Sequence, residues 1–519
     1  MNAFWHNHKW GVTFVAIAAL FVVLSLGSAL RESLTYDEIL HSQEGLNHLL
    51  KQMFTVDPYN PPLTRELQML PVALGVSTER LFASRLVAVF LGVLLLLSVY
   101  VTTRKHFGAG VGLLALLLLA FEPNIVAHSH YVTPDIGTAL FFFLAYIALL
   151  GFLEHASVGR VIWLGISLGM ALASRVFVIP YFIASAAVAG LFGRKSSPRI
   201  AHIAAIVLIG FLVVWAAYFF RMDVVIAKRE DAARISAKLK NSAMAQRYPI
   251  LQYELYVLES QPLPLGNYLA TVKNSFLRGM QNTSKPAWYE MIVNVLLKTP
   301  IPLLFLTAGA LWRVKREKTE RARILTLLIP VVAIVGTAVV TGMEPRVRYV
   351  LGIYPFLAII AAVGVGKIRE RGIWGKTIIA MLLIWYVVGT LVQYPHFISY
   401  ANELLPREKR YLYLTDSNID WGQSLPDMAA YIQKIKPSQV SFSYFGRDNG
   451  NDYGLVSNRQ WGSYTFEDIC AFHEIALPYN GERLAAISVS NWHGCGYSKE
   501  PQFAKENVRE VVGDSILIF

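Results

Sequence analysis

Residues 10–38 read WGVTFVAIAALFVVLSLGSALRESLTYDE, and the fold is decided here. Trp10–Leu30 carries no charge. Wound as an α-helix, such a block covers a hydrocarbon core of about 30 Å. It is too long for the apolar part of a signal peptide and no cleavage site follows it, so it is expected to remain as an anchor. Just beyond it stand Asp37 and Glu38. A further acid, Asp135, ends another loop written Tyr131-Val-Thr-Pro-Asp. Acids held at the rim of membrane spans suggest chemistry at the bilayer surface.

The same pattern repeats along the chain. Of 519 residues, 55% are hydrophobic and 16% charged, with a mean hydropathy of +0.44. Soluble domains carry about a quarter charged residues. Further apolar blocks run over Leu81–Thr102, Ile136–Leu153, Ile200–Phe220, Val293–Leu311, Ile324–Thr341, Tyr349–Val365 and Thr377–Tyr394. Ala109–Phe121 is shorter, and Val161–Ala173 and Val176–Phe192 abut with only Ser174-Arg175 between them. Together they predict a polytopic α-helical membrane protein with about eleven transmembrane helices. No internal repeat or low-complexity tract is visible.

Lys and Arg set the orientation. Arg104, Lys105, Arg160, Arg194, Lys195, Arg199, then Arg313–Arg323 and Lys367–Arg371, fall in alternate loops. The loop Glu122–Asp135 has neither residue type. The amino terminus is therefore expected in the cytoplasm, with the chain in the inner (cytoplasmic) membrane. The formal net charge of +12 reads as a topology signal and not as a nucleic-acid footprint. A membrane domain over residues 1–395 would present two pieces outside, 31–80 and 221–291. The tail 396–519 would form a separate extracytoplasmic domain.

In the first outside piece, Ile39, Leu46, Leu49 and Leu50 share one helical face over Tyr36–Gln52. That pattern suits a helix lying in the interface. Tyr59-Asn-Pro-Pro-Leu-Thr-Arg then makes a Pro-pinned turn into a second short helix. Two readings of Asp37 and Glu38 are open here. They either compensate a helix dipole or take a proton from a hydroxyl. The arginines bear on the choice. Arg65, Arg175, Arg346 and Arg348 lie near helix ends on the outer side, where Arg is costly. They either pair with acids such as Glu66 and Glu344 or hold a phosphate, which guanidinium grips bidentately.

Several motifs carry a resemblance. Tyr36-Asp-Glu, Asn60-Pro-Pro-Leu-Thr-Arg and Glu122-Pro-Asn-Ile-Val-Ala-His-Ser-His-Tyr-Val-Thr-Pro-Asp are joined by Lys298-Thr-Pro, Arg346-Val-Arg-Tyr-Val-Leu-Gly-Ile-Tyr-Pro and Asp416-Ser-Asn-Ile-Asp-Trp-Gly-Gln. In this order they resemble the bacterial members of the protein O-mannosyltransferase-like group, of GT-C type, related more distantly to the lipid A aminoarabinose transferase. The resemblance implies a glycosyltransferase that moves a sugar from a polyprenyl-phosphate donor to a protein, lipid A or envelope-glycan acceptor. It implies Asp37 as general base, Glu38 as its neighbour and Asp135 as the second-loop acid. Arg65 and Arg175 stand where Lys is usual in the group, and Arg346 and Arg348 on its Arg-rich approach to a late span. All four become candidate phosphate ligands. Asn60 and Thr64 depart from the group's His and Ala.

No cofactor is expected. A metal is not assigned, because His128 and His130 near Asp135 fall short of the roughly four ligands of a zinc site. In the tail, Ser424–Lys436 reads as a helix, and Gln439–Phe445, Arg483–Ser490 and Ser515–Phe519 as strands, a small α/β domain. Asp416, Asn418, Asp420 and Trp421 either contact an acceptor sugar or form a buried turn, the favoured reading. Cys470 and Cys495, the two cysteines of the chain, stand outside, where a bridge is permitted. A transporter or flippase of lipid-linked sugars is the rival class, but it would set its ionisable groups mid-span, often in repeated halves. Lys298 is the one residue that leans that way. A scaffold would have no use for acids and arginines on one face.

Overall fold

The computed structural model describes residues 2–54, 59–76, 81–193, 199–225, 261–281, 286–313, 318–368, 372–437, 439–455, 470 and 483–519. Residues 226–260 of the expected second outside piece lie outside these, as do Arg80, Arg194, Lys195, Lys315, Arg316, Arg369 and Arg371. Among the described residues, seven helices are long and apolar enough to cross a membrane, or eight if one bent pair counts as a span. Three shorter apolar helices, Ala109–Ala120, Val158–Leu172 and Val178–Leu191, accompany them. Leu191, Ile200, Val340 and Trp374 point outward, each more than three-quarters free of protein cover. Lipid is the solvent that makes such a surface stable. The chain is an integral membrane protein.

One expected span is corrected. Val293–Leu311 is not a single helix but two, Glu290–Lys298 and Ile301–Trp312, bent by 108°. Pro300 lacks an amide proton and pushes the residue before it out of the helical region. Thr299 accordingly sits at φ −96°, ψ 128°. Lys298 is therefore at a break and not mid-span. Its amino group donates to the carbonyls of Ile398 at 2.5 Å and Asn418 at 2.7 Å, which gives the buried nitrogen a structural partner set.

The chain divides into two compact units. The first comprises Met1–Ser42, Leu74–Leu140 and Pro286–Phe519. In it the helices Asn2–Arg31, Phe82–Phe107, Ala109–Ala120 and Tyr354–Ile368 pack on one another. Tyr354–Ile368 is entered through a 3-10 turn, Val347–Ile353, and the span Val347–Val365 is the most enclosed of the set. The tail adds a four-stranded sheet in the order Gln439–Ser443, Arg483–Ser488, Ile516–Ile518, Glu510–Val512. The first pair is parallel and the others antiparallel. Alternation along Arg483–Ser488 sends Ala485 and Ile487 to one apolar cluster and Leu484 and Ala486 to another. The helix Leu425–Ile435 covers the second face through Met428 and Ala429. Both faces are thus buried, which is why these strands read as apolar runs. The strand Glu510–Val512, not anticipated from the sequence, is three residues long and opens on the exposed Glu510, too short to show an apolar run or an alternation. Cys470 and Cys495 are bridged.

The second unit comprises Gln43–Ala73 and Phe141–Lys285. Its centre is the helix pair Val158–Leu172 and Ile200–Ala217. Gly165 and Gly169 permit this contact, since a Cβ on either would stand 2.7 or 2.6 Å from Ile209 or Val213. Small residues at such spacing let membrane helices approach closely. The short helix Leu63–Ala73 follows Pro61-Pro62 as anticipated. Its first amide, on Leu63, donates to the carbonyl of Ala173 at 3.0 Å.

Candidate active site

Asp37 and Glu38 occupy the first turn of the helix Tyr36–Lys51, where the helix dipole favours negative charge. The chain entering that turn is held by the tail. The Ser33 amide donates to the Gln423 carbonyl at 3.0 Å and the Tyr36 amide to the Trp421 carbonyl at 2.8 Å. Leu34 donates to the Asp448 carboxylate at 2.7 Å. The Tyr36 ring stacks on Phe445, 5.0 Å between centroids, and the Arg447 guanidinium lies 4.1 Å from that same ring.

Glu38 is fully buried and fully engaged. Arg85 donates to its two oxygens at 2.9 and 2.7 Å. The amides of Thr35 and Val132 donate to them at 2.8 and 3.0 Å. Arg85 also donates to the carbonyls of Ala29, Glu32 and Ser33. These close the end of the first helix, whose last carbonyls have no partner of their own. Asp37 differs in kind, with its side chain 23% exposed. Arg348 Nη1 donates to Asp37 Oδ2 at 2.5 Å. The Arg348 guanidinium lies 4.4 Å from the Trp421 ring centroid and 5.1 Å from that of Tyr349. Asp135 and Asp416 also act on its charge.

Asp135 opens the helix Asp135–Glu154, with His128 Nδ1 at 3.7 Å from its Oδ2. Burial, reinforced by Arg348 and opposed by Asp135, brings His128 down to about 3, so this is a neutral imidazole beside a carboxylate and not an ion pair. Arg346 is bridged by Glu344 and Asp416, each at 3.1 Å. Five expected site residues, Asp37, Glu38, Asp135, Arg346 and Arg348, thus belong to the first unit. Arg65 and Arg175 belong to the second. There Arg65 is buried and donates to the carbonyls of Asn60 and Pro61. Arg175 faces the Phe177 ring at 5.2 Å. The two are linked locally by the Thr64 hydroxyl donating to Ser174 at 3.0 Å. Burial, opposed by Arg65, raises Glu66 to about 8.

Behind the first-unit acids runs a buried chain that sequence reading missed. Glu32 accepts from Tyr131 at 2.7 Å and faces His130 Nε2 at 2.9 Å and His396 Nδ1 at 3.2 Å. Burial alone would raise Glu32, but the bonds from His130 and His396 hold it at about 2. His396 also faces Asp427 at 3.2 Å. Against the cost of its burial, Asp427 and Glu32 raise it to about 10. Arg85 carried a legible signal, as an Arg inside an apolar block. Glu32 and His396 carried none. The motif Asp416–Gln423 is a buried turn: Asn418 accepts from the Val347 amide at 3.0 Å and donates to Pro345 at 2.9 Å. Burial lifts Asp420 to about 7. Among the described residues, no three His, Cys, Asp or Glu side chains are grouped to hold a metal ion.

Residues 60–217 match the family described as dolichyl-phosphate-mannose-protein mannosyltransferase. The structure is similar to ArnT from Cupriavidus metallidurans bound to undecaprenyl phosphate, at 16% identity and TM-score 0.52 over 98% of each chain. The Archaeoglobus fulgidus oligosaccharyltransferase aligns over 90% of this chain and 59% of its own, at 15% identity and TM-score 0.49. The S. cerevisiae Pmt1-Pmt2 complex bound to the sugar donor aligns over 41% and 32%, at 18% identity and TM-score 0.33. No curated protein sequence matches the chain. The chain shares the fold of ArnT over nearly its whole length.

Proposed function

We propose that this GT-C chain is a membrane glycosyltransferase that moves a sugar from a polyprenyl-phosphate donor to an acceptor hydroxyl at the outer face of the membrane. The observation that carries the reading is the Asp37–Arg348 pair, a partly open carboxylate in a helix's first turn against a buried guanidinium. The step is a single displacement with inversion. The acceptor oxygen attacks the anomeric carbon, its proton passes to Asp37, and the anomeric C–O bond breaks with its electrons leaving on polyprenyl phosphate. Arg346 and Arg348 stabilise the departing phosphate, with Arg65 and Arg175 in the same role on the strength of the family pattern. Glu38, its oxygens taken up by Arg85 and two amides, holds the turn that carries Asp37. Asp135 shares Arg348 with Asp37 and balances its charge. The reaction as written calls for no cofactor.

The acceptor is a protein hydroxyl, lipid A or an envelope glycan. The amino terminus lies in the cytoplasm, and Asp37, Asp135 and the tail lie outside the inner membrane. The test uses purified full-length protein with labelled undecaprenyl-phosphate sugars and separated membrane fractions. Asp37→Asn lowers transfer by roughly 100- to 10,000-fold while donor binding persists. Transfer at the wild-type rate in that variant sinks the assignment of the base, and no transfer by the wild type to any fraction sinks the reaction.

A further inference from the structure

The group around Asp37 has a hub that no motif singled out as such. Trp421 is 1% exposed and comes from the tail, yet it contacts residues that flank or pair with Asp37, Asp135 and Glu32. Its carbonyl accepts from the Tyr36 amide, the residue before Asp37, at 2.8 Å. Its ring lies 4.4 Å from the guanidinium that pairs with Asp37. The same ring meets His128, the neighbour of Asp135, edge-on at 5.9 Å, and Tyr131, which bonds Glu32, at 5.8 Å. Its own amide donates to the Gln423 side chain at 2.7 Å, which fixes the backbone of the turn.

We infer that Trp421 is a positioning residue that fixes Asp37 and Arg348 relative to each other, one through its backbone and the other through its ring face. The inference rests on the glycosyltransferase reading, in that it is Asp37's geometry that matters for transfer. The physical need is clear from the chemistry. A guanidinium on a flexible stem keeps a defined place only if something holds its plane, and a buried indole face does this while attracting its charge. The Tyr36 hydrogen bond fixes the other partner. Loss of the ring frees Arg348 to leave Asp37 and to engage Asp135 or Asp416, the other carboxylates that act on it. Trp421 touches no reacting atom under this scheme. It sets distances.

Two variants separate this from bulk packing. Trp421→Phe keeps a ring face, while Trp421→Leu keeps apolar bulk without one. Neither alters the backbone carbonyl. Turnover at saturating donor falls by roughly 100-fold in Trp421→Leu and by about 10-fold or less in Trp421→Phe, with donor KM within about twofold in both. An activity-independent readout accompanies this: labelling of Asp37 by a water-soluble carbodiimide, quantified by peptide mass spectrometry at fixed pH. Asp37 labels faster in Trp421→Leu than in wild type, and at an intermediate rate in Trp421→Phe. Equal turnover and equal labelling in the Leu variant and wild type overturn the inference. So does a Phe variant as damaged as Leu, whether by lost turnover or by failure to fold, since a ring face then does nothing. If the wild type transfers no sugar, the function reading fails, and the labelling series still decides whether Trp421 sets Asp37.

Discussion

Arg85 grips both carboxylate oxygens of Glu38, at 2.9 and 2.7 Å, with neither side chain exposed to solvent. The pair joins the start of one helix to the start of another that precedes it by 47 positions. It also holds the carbonyl of Ala29 in the last turn of the first helix and those of Glu32 and Ser33 just beyond it. Removing one partner leaves a buried charge alone, which costs more than the intact pair contributes. Arg85→Met is therefore expected to destabilise the protein by about 3–5 kcal/mol, and Arg85→Met with Glu38→Gln by less. Thermal unfolding of the detergent-solubilised variants checks this. A single variant as stable as wild type contradicts it.

Arg348→Lys keeps the charge but loses the planar fork and the stack on Trp421. Lys at such a position is not a conservative exchange. Transfer is expected to fall by about 10- to 100-fold, and further in Arg348→Leu. Steady-state rates at fixed donor concentration measure it, and a lysine variant with wild-type turnover removes the need for a fork.

His396 and Glu32 give opposite pH signs. His396 is raised to about 10 in the fold, against an ordinary value of 6.5. Its contribution to stability is complete below 6.5 and is lost as pH rises from there through about 10. Glu32 is lowered to about 2 from 4.5, so its contribution is complete above 4.5 and lost as pH falls toward 2. The stability difference between wild type and His396→Gln is thus largest between the two windows, near pH 5 to 6, and shrinks toward pH 10. Melting temperatures of both proteins across this range test it. A difference that grows with pH reverses the sign and rejects the pairing.

Gly422 and Gly454 make a matched comparison. Both have positive φ, 88° and 75°, but a Cβ on Gly422 would meet the Phe445 carbonyl at 2.5 Å while one on Gly454 meets nothing within 4 Å. Gly454→Ala pays backbone strain alone, about 1 kcal/mol. Gly422→Ala adds a collision with backbone and is expected to cost roughly 1–3 kcal/mol more. Equal melting temperatures for the two variants place the strain elsewhere.

Much of the fold was legible because a membrane imposes length and polarity on every span. Trp10–Leu30, Ile136–Leu153 and Thr377–Tyr394 lie within the helices Asn2–Arg31 and Asp135–Glu154 and close to Gly372–Leu391. The break at Thr299-Pro300 was readable too, since Pro300 sat inside the supposed span with Lys298 before it. The surroundings of Asp37 were legible only in part. Its acid and the arginines Arg346 and Arg348 stand out as costly charges at span ends. Their contact, across 311 positions, is a property of packing. Glu32, His130 and His396 hid for the same reason, as each looks like ordinary loop polarity until the others are brought beside it. Trp421 was seen as part of a turn but not as a bearing for Arg348, because a ring face leaves no trace in spacing.

The tail's grip on Ser33–Tyr36 has a consequence for biosynthesis. Ribosomes deliver Asp37 first, whereas its counter-ion emerges 311 residues later and Trp421 later still. During most of translation the acid is a bare surface group with nothing to orient it. The arrangement around it is complete only once residues 421–448 have joined Ser33–Tyr36. A nascent fragment that ends before Trp421 therefore lacks both the carbonyl that holds the Tyr36 amide and the ring that faces Arg348.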